Sequence, residues 1–221
     1  MTNKEYADIL LPGVKHTWEE YEKMYPERDL PEGAMVTRYG PSPTGFVHLG
    51  NLLSAFADMM YAKQSNGSFF LRIEDTDQKR MVDGGIENIV SVLHDFDILP
   101  NEGYSFGGEY GPYRQSERTE IYQTYVKDLI VKGLAYPCFM TEEEIATIKE
   151  EQEINKTKIG IYGVYAADRD LSLDEVKEHL NNKDEYVIRL KSPGNPKNEI
   201  EVIDSIKGKL KSLKMIWILY Y

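Results

Sequence analysis

Arg38-Tyr39-Gly40-Pro41-Ser42-Pro43-Thr44-Gly45-Phe46-Val47-His48-Leu49-Gly50-Asn51 holds a strand end, a loop and a helix start in one run. Met35 to Tyr39 reads as a short buried strand, and Pro41 to Asn51, with two prolines and two glycines, reads as a loop. Downstream, Leu52, Leu53, Phe56, Met59 and Met60 fall on one helical face, and Asn66-Gly67 supplies the stop. Phe69, Leu71 and Ile73 then alternate with Phe70 and Arg72, which predicts a strand. A second amphipathic helix is carried by Ile86, Ile89, Val90, Leu93 and Phe96. Strand, helix and strand at this spacing make a parallel βαβ unit of an α/β fold, whose ligands belong at the carboxyl ends of the strands.

The loop therefore lies where backbone N–H groups and a helix dipole point at a ligand. Gly45 and Gly50 let that ligand approach the backbone with no Cβ in the way. The run is neither GxxxxGK[ST] nor GxGxxG, so a P-loop and a dinucleotide fingerprint are both excluded. A Pro/Gly turn with a surface His48 accounts for the composition equally well. Just past the second strand, Arg72-Ile73-Glu74-Asp75-Thr76-Asp77 offers Glu74 and Asp77 to a ligand amine or a ribose. The same acids could hold a cation or cap the next helix. Gly111-Pro112-Tyr113-Arg114-Gln115-Ser116-Glu117-Arg118 places two arginines four residues apart beside a tyrosine, which suits phosphate contact with stacking. Two arginines on a solvated helix face are the alternative.

Composition narrows the class. A chain of 221 residues allows one large domain or two small ones, and 16 Tyr with 7 Phe require a folded core. The single cysteine, Cys138, excludes an intrachain disulfide and any zinc site needing two thiolates; a buried apolar role is expected of it. No apolar run approaches the ~18 residues of a membrane helix. The start, MTNKEYADIL, has no signal-peptide pattern, so a cytoplasmic location is expected. With 26 Lys+Arg against 37 Asp+Glu the formal charge is −11, which argues against a general nucleic-acid coat but not against a local basic groove.

The flanks are plainer. Residues 1–34 read as an extension, with a short helix over Trp18, Tyr21, Met24 and Tyr25 and a break between Pro26 and Gly33. A helix from about Glu117 to Val131 is expected to bury Ile121, Tyr122, Tyr125 and Leu129. Thr141-x-x-Glu144 and Ser172-x-x-Glu175 are capping boxes, and strand signals return at Tyr186 to Leu190 and Ile200 to Ile203. Residues 35–134 thus form a first domain, 135–207 an insertion or second subdomain, and 208–221 an atypical tail.

TRYGPSPTGFVHLGN, then FFLRIEDTD with Arg80 three residues on, then GPYRQSER, together resemble the glutamyl-tRNA synthetase family of class I aminoacyl-tRNA synthetases. His48-Leu49-Gly50-Asn51 matches that family's version of the "HIGH" signature, and the likeness runs from about Val36 to Leu210. KHTWEEYEKMYPERDLPEG resembles the extension of a longer subgroup. The resemblance implies the first half of a Rossmann-like nucleotide-binding fold with an α+β acceptor-stem-binding insertion over 135–207. It implies ATP-dependent activation of L-glutamate to glutamyl-adenylate and transfer to the 3' end of tRNA(Glu). By carry-over, His48 and Gly50 are the catalytic pair. Ser42, Gly45, His48, Gly50 and Asn51 bind ATP, supplied with Mg2+ as a substrate complex. Arg38, Tyr39, Gly40, Ser42 and Glu74 bind glutamate, with Arg38 on a carboxylate and Glu74 on the α-ammonium. Arg80, Arg114 and Arg118 are the candidate tRNA contacts.

Two departures qualify the likeness. Some relatives hold zinc through cysteines in the insertion, and with Cys138 alone no structural zinc is expected. No KMSKS-type loop follows either. After Asp204-Ser205-Ile206-Lys207-Gly208-Lys209-Leu210 relatives continue with Lys-Ser-Asp-Gly, whereas this chain reads KSLKMIWILYY, the text of a truncated or frame-shifted end. An N-terminal fragment, inactive by itself, is the leading reading, its full-length relatives being expected monomers. A shortened glutamyl-queuosine tRNA synthetase-like paralogue and a non-catalytic tRNA-binding module are the alternatives.

Overall fold

The computed structural model describes residues 3–191, 199–204 and 207–213. Its helices are α1 (Asn3–Leu10), α2 (Trp18–Met24), α3 (Leu49–Gln64), α4 (Gly85–Asp95), α5 (Thr119–Val131), α6 (Glu142–Ile154) and α7 (Leu173–Asn182). Its strands are β1 (Val36–Tyr39), β2 (Ser68–Leu71), β3 (Glu102–Gly103), β4 (Ala135–Cys138), β5 (Val187–Leu190), β6 (Glu199–Asp204) and β7 (Gly208–Leu213). Two compact units divide the chain, Lys15–Thr124 and Met1–Val14 with Tyr125–Tyr221, so the N-terminal 34 residues are shared between them. The atypical tail beyond residue 213 lies outside the described residues.

In the first unit β1, β2 and β3 form a parallel sheet in the order β1-β2-β3, with Val36 beside Ser68 and Phe70 beside Glu102. The expected βαβ unit is therefore present, extended by a third strand. Tyr39, Phe69 and Leu71 of the sheet, with Ile73 just beyond the end of β2, meet Ala55 and Ala62 of α3 and Ile89 and Leu93 of α4 in one core. Asn66 ends α3 in the left-handed region, and Gly67 lets the chain turn back so closely that a Cβ there would overlap the Met35 carbonyl.

The buried stripe of α3 differs from the expected one. Ala55 and Ala62 are buried and Leu52 and Met59 partly so, while Leu53 and Phe56 face solvent. The small alanines allow close packing on the sheet, which a count of large apolar residues overlooks. In α5, likewise, Tyr125 is exposed, and Ile121, Thr124, Val126 and Ile130 are the buried residues. Phe96, beyond the end of α4, is exposed as well.

The second unit packs α1, α5 and α7 residues (Ala7, Leu10, Val126, Ile130, Val176) with Ala135 and Phe139. β4 and β5 pair antiparallel, as do β6 and β7. Both capping boxes form: Thr141 and Ser172 each accept from the backbone three residues on, and Glu144 and Glu175 reach back.

Candidate functional site

The first loop leaves β1 at its carboxyl end and is held mainly by its backbone. Pro41 O accepts from Glu74 N at 2.9 Å, and Pro43 O from Val82 N at 3.0 Å. Val47 N donates to the Asn88 side chain at 2.9 Å, which ties the loop to α4. Gly85 opens α4 against Pro43, where a Cβ would stand 3.0 Å from the Pro43 carbonyl. A cleft of about 200 Å³ results, bordered by Tyr39, Ser42, Thr44, Gly45, His48 and Asn51. His48 caps α3: its Nδ1 accepts from Gly50 N at 3.1 Å, and Asn51 Oδ1 accepts from His48 N at 3.1 Å. A side chain at Gly50 would press on the His48 ring, at 3.1 Å from Cβ to Cε1. Gly45 faces open space.

Glu74 lies across Gly40, where a Cβ would come within 2.7 Å of its Oε1. That oxygen pairs with Arg38 Nη1 at 2.6 Å and Arg72 Nη2 at 3.4 Å. Arg38, Gly40 and Glu74 are thus brought together at the ends of β1 and β2. Tyr39 turns into the core instead, and burial pushes its phenol up.

Asp75 takes the opposite face and is fully buried. It accepts from Ser116 N at 2.9 Å, Ser116 Oγ at 2.7 Å and Arg114 Nε at 2.8 Å. Burial pushes its carboxyl up, but these donors outweigh burial and hold it below the usual carboxylate range. Arg118 donates to Pro112 O at 2.8 Å and Tyr110 O at 3.3 Å. Arg80 pairs with Asp77 at 2.5 Å, and the Asp77 side chain caps the turn Gln78–Arg80. Each of the three arginines expected to face nucleic acid therefore has a partner within the chain.

The family model for the catalytic domain of class I tRNA synthetases (E and Q) matches residues 34–216. The chain belongs to this family. Glutamate–tRNA ligases of Clostridium beijerinckii and Acetivibrio thermocellus are each 50% identical to it over 214 residues, covering 95% of this chain and 39% of theirs. A solved glutamate tRNA ligase from Elizabethkingia meningosepticum, in complex with its amino acid, matches with TM-score 0.72 at 39% identity, over 83% of this chain and 37% of that one. This class I synthetase chain accordingly spans about two fifths of the length of these curated relatives.

Within the synthetase chain, three site residues escaped sequence reasoning: Asn88, Asp75 and Ser116. Asp75 stands in the acidic run Glu74-Asp75-Thr76-Asp77, where nothing in its spacing tells it from Glu74 and Asp77. Its partners lie 39 and 41 residues away. Cys138 is buried in β4, where burial pushes its thiol up. Among the described residues no group of three or more His, Cys, Asp or Glu could hold a metal ion. No described helix is long and apolar enough to cross a membrane.

Proposed function

We propose that this chain supplies the ATP- and glutamate-binding half of a glutamate–tRNA ligase. The Arg38–Glu74 pair at the strand ends, beside a helix capped by His48, carries the reading. An amino acid with a second carboxylate brings both charges that this pair presents. Its ammonium would take the Glu74 carboxylate, and a carboxylate would take the guanidinium, whose planar fork suits bidentate contact. The exchange replaces one ion pair by two and leaves one of the ligand's two carboxylates for the reaction. Arg72, 3.4 Å from the same Glu74 oxygen, holds it in place as Arg38 turns to the ligand.

The cleft beside this pair is the proposed ATP seat. Gly45 admits the nucleotide to the backbone, and Ser42, Asn51 and the start of α3 offer hydrogen bonds and a positive dipole end to phosphate oxygens. Mg2+ would arrive with the phosphates as part of the substrate. An α-carboxylate oxygen of glutamate attacks the α-phosphorus, the bond to the bridging oxygen breaks, and pyrophosphate leaves. His48 Nδ1 is committed to Gly50, so the opposite ring nitrogen is the one to donate to phosphate oxygen as charge builds. A terminal ribose hydroxyl of tRNA(Glu) then attacks the acyl carbon, and AMP departs. Residues 135–207 are proposed as the acceptor-stem-binding insertion, and the rest of the pocket as lying in the part that the relatives carry beyond this chain.

Glutamate-dependent ATP–pyrophosphate exchange, with and without tRNA, tests the reading in a protein that carries this chain at full family length. Exchange that requires glutamate supports it. Tight tRNA binding with no exchange would instead establish a binding module.

A further inference from the structure

Residues 15–34 do more than precede the first strand. Thr17 caps α2 in a full capping box, Tyr21 is buried and stacks with Tyr25, and His16 Nδ1 meets Glu120 at 2.9 Å. The segment then sends Arg28 into the loop of residues 108–118. Its guanidinium lies 3.7 Å over the Tyr110 ring and pairs with the Glu102 carboxylate, whose side chain is 7% exposed. Tyr110 answers by donating its hydroxyl to Pro26 O at 2.9 Å.

From Glu102 the contacts run on without a gap. Tyr113 Oη donates to Glu102 at 2.7 Å and accepts from Tyr110 N at 3.0 Å. Burial first, then the bond to Glu102, pushes the Tyr113 phenol up to about 12, so it stays a donor. Tyr113 O accepts from Ile73 N at 3.0 Å, and Ile73 O accepts from Gln115 N at 2.8 Å. Arg114 and Ser116 next to them hold Asp75. Residues 73 and 75 are thereby fastened on one side, and Glu74 between them is turned to the other, toward Arg38.

We infer that residues 15–34 are a strap that sets the Glu74 end of the site, with Arg28 as its positioning residue. The inference rests on the functional reading above for its link to glutamate, and on geometry alone for its link to the 108–118 loop. Arg28 acts through its neighbours: it pairs with Glu102, which fixes Tyr113, which fixes the backbone register of Ile73 to Asp75. Lysine keeps the charge but not the planar stack on Tyr110, so it should rescue only in part.

Amide hydrogen exchange on the whole chain tests this with Arg28→Met, Arg28→Lys and the pair Arg28→Met with Glu102→Gln. In Arg28→Met, amides of residues 73–75 and 113–116 should exchange at least tenfold faster, with α3 amides unchanged. The double variant, which removes both charges, should return them to within about threefold of the parent. Faster exchange throughout the unit, or none at 113–116, would overturn the strap. Should Arg28→Met fail to fold, the double variant still decides, since a positioning role demands that it be protected at 113–116. A second arm adds glutamate to a protein that carries this chain at full family length: the parent should gain protection at residues 72–75, Arg28→Met should lose that gain, and the double variant should regain it. A parent that gains nothing from glutamate breaks the functional reading and leaves the strap to the first arm.

Discussion

The two loops that flank the end of β2 are built in opposite ways. Residues 40–48 are held by backbone bonds and two asparagine side chains, Asn88 and Asn51, and they leave polar groups and an open glycine around a cleft. Residues 108–118 are knitted by side chains: a buried Asp75 with three donors, a nearly buried Glu102 with two partners, and Arg118 spent on carbonyls. Unfilled hydrogen-bonding capacity marks the surface that meets a ligand, and filled capacity marks the frame that holds it. The alternating faces of an extended chain allow this at adjacent residues, since Glu74 serves the first loop and Asp75 the second.

The largest effect is expected at Asp75. Asp75→Asn leaves Arg114 without its anion, and breaking a buried charge pair costs about 3–5 kcal/mol. The loss should appear as faster exchange of the Phe69–Ile73 amides, read against α6 in the other unit. Unchanged protection in β2 would mean that the second loop is no frame. The charge also predicts a pH dependence. The folded carboxyl titrates below its unfolded value, so its stabilisation is present above about pH 4 and is lost as pH falls through the folded value. Acid unfolding of the first unit should therefore be shallower in Asp75→Asn than in the parent; parallel profiles would contradict the assignment.

Arg38 should behave in reverse. Its side chain is 43% exposed, so its pair with Glu74 contributes at most about 1 kcal/mol to folding. Arg38→Ala should leave amide protection in β2 near the parent's yet weaken glutamate binding by about 2–5 kcal/mol, the range for truncating one member of a ligand charge pair. Calorimetry showing equal glutamate affinity in the two proteins would remove Arg38 from the site. A variant that lost stability and kept affinity would exchange the roles of the two loops.

How much of this was legible in the sequence follows from distance along the chain. The βαβ unit, the capping boxes and the stop at Asn66-Gly67 rest on neighbours within a few residues, and periodicity finds them. The α3 face was misplaced because Ala55 and Ala62 carry little apolar weight yet sit against the sheet, whereas Leu53 and Phe56 carry much and do not. Arg38, Gly40 and Glu74 were named together on family likeness, and the structure gives the reason for Gly40: no Cβ fits beside Glu74. Arg114 and Arg118 looked available because their partners, Asp75 and the carbonyls of Tyr110 and Pro112, are fixed by the fold and not by spacing.

The smallest effect concerns Gly45, and it isolates the role of the first loop. Its backbone lies outside the left-handed region, and an added Cβ would meet nothing within 4 Å. Gly45→Ala should consequently change stability by no more than about 0.5 kcal/mol, as surface substitutions away from special features do. A methyl group at the cleft's edge would still stand where a nucleotide has to approach the backbone. A rise of a few fold in the KM for ATP during pyrophosphate exchange, with glutamate affinity unchanged, is the expected result in a full-length protein carrying this chain. If ATP and glutamate were both unaffected, the loop's openness would have no part in binding, and the cleft would be a gap between loop and helix. A loss confined to ATP would separate the two halves of the site, nucleotide against Gly45 and amino acid against Arg38, along the line that the loop and the strand ends already draw.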